Sequence, residues 1–185
     1  MSRLIIVSNK LPFEVVKEDG KVSVEQKSVR TPSKLNTYYK LNNCEWVGRG
    51  GNGQIELLKN EKDYVKKRFK EERCHPLELT QEQITMFNDG FCNGTIWPLF
   101  HYFTQHSELN EEYWDHYVEV NKLFADAVLK IAKDNDTIWV HDYHLMLLPQ
   151  LLRETRPQLT IGFFLHMLPT PLLLLATSLP CLSTP

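Results

Sequence analysis

Apolar and polar positions alternate along the chain in blocks that change period, and those periods define the expected elements. Leu4 to Val7 is a short apolar run rich in β-branched residues that stops at Ser8 and Asn9, the pattern of a buried strand handing its carboxyl end to a loop. From Glu14 to Val24 two alternating segments flank Asp19-Gly20, a hairpin signal that reads as a surface excursion. Glu45-Trp-Val-Gly48 starts like a strand and runs into the glycine-rich Arg49-Gly-Gly-Asn-Gly53. Lys59 to Arg73 is charge-rich and poorly periodic, and reads as a solvated face. Between Glu111 and Lys133, Tyr113, Tyr117, Val120, Leu123, Phe124, Ala127, Val128 and Ile131 recur at helical spacing, which predicts a long amphipathic helix ended by Asp134-Asn-Asp136. Thr137 to Val140 follows as a buried strand, Leu145 to Glu154 as a helix, and Leu159 to Leu165 as a strand ending at His166. This βαβ alternation predicts an α/β domain, a parallel sheet with helices on both faces.

Composition narrows the class. The 185 residues are 42% hydrophobic and 24% charged, within the range of one ordinary globular domain. A formal net charge of -2 provides no basic field for a polyphosphate backbone, so nucleic acid is excluded as a partner and any anionic ligand must be held by local groups. Cys44, Cys74, Cys92 and Cys181 form no C-x-x-C pair, which fits reduced thiols and a cytoplasmic protein. The apolar start is too short for a signal peptide. Leu172 to Leu175 is apolar but bracketed by Pro169, Pro171 and Pro180, so no membrane span is expected. Leu168 to Pro185 contains no Asp, Glu, Lys, Arg or His at all, a sharp break from what precedes it.

In open α/β sheets ligands bind beyond the carboxyl ends of the strands, which singles out Ser8-Asn9-Lys10, His141-Asp-Tyr-His144 and His166. Lys10 is a candidate phosphate ligand as a compact point charge, or else a surface lysine. Asp142 lies between two buried elements, where a carboxylate is costly unless paired or serving a ligand; it either orients hydroxyl groups or caps the helix near Leu145. His141, Asp142 and His144 could in principle ligate a metal, but no third kind of ligand is specified and the signal is weak. His166 faces the same crevice unless it is a satisfied core histidine. Trp97 offers a flat apolar face of the kind sugars pack against, or belongs to an aromatic core.

Six segments together resemble the trehalose-6-phosphate synthase family of retaining glycosyltransferases: Val7-Ser-Asn-Lys-Leu-Pro12, Trp46-Val-Gly48, Gly90-Phe-Cys-Asn-Gly-Thr-Ile-Trp-Pro-Leu-Phe-His-Tyr102, Tyr113-Trp-Asp-His-Tyr-Val-Glu-Val-Asn121, Ile138-Trp-Val-His-Asp-Tyr-His-Leu145 and Ile161-Gly-Phe-Phe-Leu-His166. They stand in family order. The resemblance implies a GT-B fold of two facing Rossmann-like halves, with residues 1–167 an incomplete acceptor half and the donor-binding half absent. It implies transfer of glucose from UDP-glucose to glucose 6-phosphate, giving trehalose 6-phosphate and UDP with retention at the donor's anomeric carbon and with no metal or redox cofactor. Residue by residue, Asp142 would hold acceptor hydroxyls, His166 the donor glucose, and Lys10 and Trp97 the acceptor phosphate pocket. The chain alone is expected to be inactive; association with full-length synthase subunits is the expected partner interaction, and a non-catalytic sugar-phosphate-binding relative is the alternative.

The departures are local. The family usually has Arg where this chain has Lys10, which keeps the charge but loses bidentate phosphate binding. It usually has Tyr, another phosphate contact, where this chain has Asn88. It has a Gly-Gly pair where this chain reads Ser28-Val-Arg-Thr-Pro-Ser-Lys34. After His166 the family continues Pro-Phe-Pro and an acidic residue, so residues 168–185 are expected to be a non-family, disordered tail of a truncated or frame-shifted product.

Overall fold

Strand β1 (Leu4–Lys10) is the centre of the sheet, because its apolar residues are buried on both faces. The computed structural model describes residues 3–26, 39, 42, 44–50 and 55–167. Strands β2 (Phe13–Glu18) and β3 (Lys21–Gln26) form a separate antiparallel hairpin, then β4 (Cys44–Arg49), β5 (Cys74–Leu77), β6 (Thr137–His141) and β7 (Thr160–Phe164) complete a five-stranded parallel sheet in the order β5-β4-β1-β6-β7. The parallel α/β architecture is as expected from the sequence.

Helices cover both faces. Ile5, Val7, Val47, Ile138 and Val140 point into one core with helix α2, which runs from an α-helical turn Gln81–Ile84 through a π-helical segment Thr85–Ile96 to a last α turn Trp97–Phe100, with α3 (Glu111–Ile131) and with α4 (Leu148–Thr155). Ile6 and Trp46 point the other way, against Phe13 and Val15 of the hairpin and Val65 and Phe69 of α1 (Lys59–Glu71). Alternation along β1 therefore feeds two cores rather than one.

Local signals explain most boundaries. Asp19 and Gly20 both take positive φ, 49° and 73°, the geometry of a two-residue hairpin turn that suits Asp-Gly. The hairpin is less peripheral than expected, since Phe13 and Val15 are buried against α1. Thr80 caps α2 reciprocally with Gln83: Gln83 N donates to Thr80 Oγ1 at 3.1 Å and Thr80 N to Gln83 Oε1 at 3.0 Å. Asn110 caps α3 by accepting from Glu112 N at 2.8 Å. The Lys59 to Arg73 stretch is a helix whose only buried side chains are Val65 and Phe69, four apart on one side. Around them charges fill the remaining faces, so the apolar stripe is too thin to register as a period.

The expected helix from Leu145 is displaced: a 3-10 turn, Tyr143–Leu145, intervenes and α4 starts at Leu148. Among the described residues no helix is long and apolar enough to cross a membrane. Cys44, Cys74 and Cys92 are buried free thiols. Cys181, the Ser28 to Lys34 loop and the expected 168–185 tail lie outside the described residues.

Candidate functional site

The connection out of β1 leads to β4 on one side of the sheet, and that out of β6 leads to β7 on the other, so the strand order reverses between β1 and β6. Such a switch point opens a crevice at the carboxyl ends of the two strands. Asn9 and Lys10 end β1, and His141 and Asp142 end β6.

On the β1 side the end is tightly tied to β4. Gly48 lies so close to the turn after β1 that a Cβ there would stand 2.9 Å from Leu11 N and Ser8 O, and glycine is what permits the approach. Trp46 Nε1 donates to Ser8 Oγ at 2.8 Å, and Ser8 Oγ donates to Lys10 O at 2.8 Å. The next residue of β4, Arg49, is buried; its Nε donates to Asn9 Oδ1 at 2.9 Å and Asn9 O at 3.3 Å, and its Nη2 to Asn88 Oδ1 at 3.4 Å. Asn9 Nδ2 donates to the same Asn88 oxygen at 3.1 Å, and Asn88 Nδ2 to Asp89 Oδ1 at 2.7 Å. Asn88 and Asp89 come from the π-helical part of α2, a widened helix of a kind frequent at functional sites. Burial pushes the Arg49 guanidinium below its ordinary pKa, against the pull of Cys92 and Asp89.

On the β6 side Asp142 has φ 75° and ψ 167°, a strained backbone region that essentially only glycine adopts freely. Its N–H donates to Phe164 O at 2.8 Å, joining the loop to β7, while its own Oδ1 accepts from Tyr143 N at 3.0 Å. The carboxylate thus caps the 3-10 turn rather than an α-helix at Leu145. Its Oδ2 stands 3.8 Å from His144 Nδ1, and 26% of the side chain stays exposed. Capping leaves the second oxygen available, so the two sequence alternatives are compatible.

The loop is held from below by α3. Tyr117 Oη donates to Tyr143 O at 2.8 Å and accepts from Met146 N at 3.0 Å, and Asn121 Nδ2 donates to Tyr117 O at 2.9 Å and His144 O at 3.2 Å. His144 is pushed down to a pKa of about 3, first by burial and then by the charges of Arg49 and Lys10. It is a neutral imidazole at physiological pH.

His166 meets His141: Nδ1 of His141 lies 3.1 Å from Nε2 of His166, with the rings stacked at 5.3 Å. Burial, and then His166, lowers His141 to about 4. An N–H on either ring nitrogen, donated to the other, satisfies that contact. Among the described residues no group of three His, Cys, Asp or Glu side chains could hold a metal ion, and His141 faces His166 rather than Asp142 and His144.

Trp97 is 41% exposed on the last turn of α2, where it stacks on His101 at 4.2 Å and on Phe103 at 6.4 Å. Of the sequence candidates, Lys10 and Asn88 are brought to one strand-end cluster and Asp142 and His166 to its neighbour, while Trp97 presents a separate open aromatic surface. Asn9 was singled out only as part of the strand end Ser8-Asn9-Lys10 and given no role, and Arg49 was not picked out by sequence reasoning. Arg49 looked like the start of a glycine loop; its strand-end position was the available signal.

Sequence and structure comparisons find relatives of this chain. The glycosyltransferase family 20 profile matches residues 2–180. The chain is 42% identical over 171 residues to the UDP-forming alpha,alpha-trehalose-phosphate synthase of Emericella nidulans, covering 89% of this chain and 33% of that protein. The E. coli trehalose-6-phosphate protein solved with UDP-2-fluoro glucose superposes with a TM-score of 0.69 at 27% identity, covering 96% of this chain and 36% of that one. The UDP-forming synthase of Burkholderia xenovorans, solved in complex with glucose-6-phosphate, superposes with a TM-score of 0.65 at 26% identity over 88% of this chain and 33% of that one. The chain spans about a third of the length of these proteins.

Proposed function

The chain belongs to glycosyltransferase family 20, and we propose that residues 1–167 are the Rossmann-like acceptor half of a trehalose-6-phosphate synthase. The reaction is glucose transfer from UDP-glucose to glucose 6-phosphate: a bond forms between the acceptor's anomeric oxygen and the donor's anomeric carbon, the acceptor hydroxyl loses its proton, and UDP leaves. Asp142 binds acceptor hydroxyls through its outward oxygen. Lys10 and Asn88 border the phosphate pocket, Trp97 supplies an apolar wall, and His166, fixed by His141, faces the donor glucose. Catalysis of this kind rests on positioning and on preorganised polar groups around an oxocarbenium-like transition state.

The observation that carries the reading is that one end of the sheet carries both an available Asp142 oxygen, just after β6, and the cations Lys10 of the adjacent β1 and Arg49 of β4. Hydroxyls suit the former and a phosphate the latter. The 185 residues span about a third of these relatives' length, and on this reading they bind acceptor without turning over by themselves. Buried thiols at Cys44, Cys74 and Cys92 support a reducing, cytoplasmic setting.

Isothermal titration of the 185-residue chain with glucose 6-phosphate tests the assignment. Binding is expected, with at least a tenfold loss in Asp142→Ala. Equal affinity in that variant, at unchanged thermal stability, removes Asp142 from the site; UDP release from UDP-glucose and glucose 6-phosphate by the chain alone overturns its inactivity.

A further inference from the structure

Arg49 is 7% exposed, yet its hydrogen bonds go to neutral oxygens, Asn9 O, Asn9 Oδ1 and Asn88 Oδ1, and it forms no ion pair with a carboxylate among the described residues. Asp89 acts on it only at longer range, its own carboxylate being engaged by Asn88. A buried charge without a counter-ion is costly, and such a group persists where an anion completes it.

Three placements say where that anion goes. Arg49 and Lys10 are register partners at the carboxyl ends of adjacent parallel strands, so their charges act at one end of the sheet. The charges of Arg49 and Lys10 both reach buried His144, two residues beyond Asp142. Arg49, Lys10, Asn88 and Asp89 line one end of an open groove of about 1720 Å³ whose other walls come from β2, α1 and β5 and whose lining does not include Asp142 or His166. Within the guanidinium, Asn9 takes Nε and Asn88 takes Nη2, which fixes the plane of the group and leaves Nη1 uncommitted among the described residues. A planar fork held in one orientation is suited to a phosphate in a way that a flexible ammonium is not.

Resting on the acceptor reading above, we infer that Arg49 binds the phosphate monoester of glucose 6-phosphate, with Asn9 and Asn88 as the positioning residues that orient its guanidinium. The guanidinium that the family supplies at the position of Lys10 is thereby delivered from the next strand, with Lys10 adding a point charge. Asn88, where the family has Tyr, belongs to the same exchange: it steadies Arg49 instead of touching phosphate first.

The test is titration of the full chain with glucose 6-phosphate, inorganic phosphate and UDP, for the unsubstituted protein and for Arg49→Met and Arg49→Lys. Glucose 6-phosphate affinity is expected to fall at least tenfold in Arg49→Met and several-fold in Arg49→Lys, inorganic phosphate binding to weaken in parallel, and the ligand-free thermal midpoint of Arg49→Met not to drop, since an uncompensated charge has been removed. Unchanged glucose 6-phosphate affinity in the variants overturns the Arg49 assignment and leaves the acceptor reading standing. No glucose 6-phosphate binding by the unsubstituted chain overturns both. Loss confined to UDP also overturns the assignment, in favour of the donor. Should Arg49→Met not fold, the Arg49→Lys titration and the ¹⁵Nε resonance of Arg49 in the unsubstituted chain decide: a resonance that does not move at saturating glucose 6-phosphate refutes direct contact.

Discussion

Deleting one oxygen, in Tyr117→Phe, tests whether the site loop is held from the core. The ring is fully buried and packs on Phe91, Phe87 and Trp114 at centroid distances of 4.6, 5.8 and 5.8 Å, all of which phenylalanine preserves. What disappears is a hydroxyl that donates to Tyr143 O and accepts from Met146 N, at 2.8 and 3.0 Å. Met146 N loses its acceptor and Tyr143 O loses one donor in a buried setting, and a buried group left short in this way costs about 1–3 kcal/mol. Two such losses sum to about 2–6 kcal/mol, and since the loop can relax toward solvent the expected cost lies in the lower half of that range, about 3 kcal/mol. With a urea m-value of about 2 kcal/mol/M, the midpoint shifts down by about 1.5 M. Burial pushes the Tyr117 phenol well above its ordinary range, so the hydroxyl remains protonated and the loss is the same from pH 7 to 9. Because the same loop carries Asp142, glucose 6-phosphate affinity is expected to fall about threefold at a temperature where the variant is folded. A midpoint change under about 0.3 M would refute the reasoning.

Other consequences follow from buried contacts. Gly90→Ala places a Cβ 2.7 Å from the Tyr113 ring, whose inner atoms cannot swing away; a loss of about 1–3 kcal/mol is expected in denaturant melts, and a neutral result would show that α2 and α3 separate easily. Asp136→Asn costs about 2 kcal/mol, since a carboxylate accepting from Arg3 and from Lys133 N is replaced by an amide while Arg3 stays partly solvated. Burial pushes the Asp136 carboxyl up, but the Arg3 and backbone hydrogen bonds outweigh it and hold the pKa below the usual range, so this contribution is present above about pH 4 and is lost as pH falls further; the variant's stability should be flatter there. His141 and His144, lowered to about 4 and about 3, stay neutral when folded but charge below about pH 6.5 when unfolded, so stability is complete above that pH and falls by about 2 kcal/mol per histidine at pH 5. Urea midpoints that hold constant from pH 7 to 5 would contradict their burial.

The legible parts of the chain were those where one period dominates. β1, β6 and β7 announce themselves as short apolar runs, and α3 shows a full stripe from Tyr117 to Val128 because a long helix repeats its pattern many times. α1 escaped for the opposite reason, with two buried residues among thirteen. The π-helical stretch of α2 follows neither 3.6 nor 2, so no periodic template finds it, although it brings Asn88 to the site. Asp142, His166 and Lys10 were visible as polar residues closing apolar strands. Arg49 was not, because its meaning depends on what does not surround it: a missing carboxylate is a property of three-dimensional neighbours and leaves no trace in spacing.

Placing β1 at the middle of the sheet has a consequence for how the molecule is made. One flank of β1 is occupied by β4, but the other waits for β6, and the Arg3 to Asp136 contact that secures this edge spans 133 positions. At about 5–20 residues per second of synthesis, the amino-terminal strand emerges roughly 7–27 s before its second neighbour exists. Its unpaired edge is apolar throughout that interval. Long-range parallel pairing is slow to nucleate, so assembly is gated by a late event. The sugar site, built across the β1–β6 seam, appears only when that seam closes, and a nascent chain stalled before His141 presents a sticky edge and no pocket.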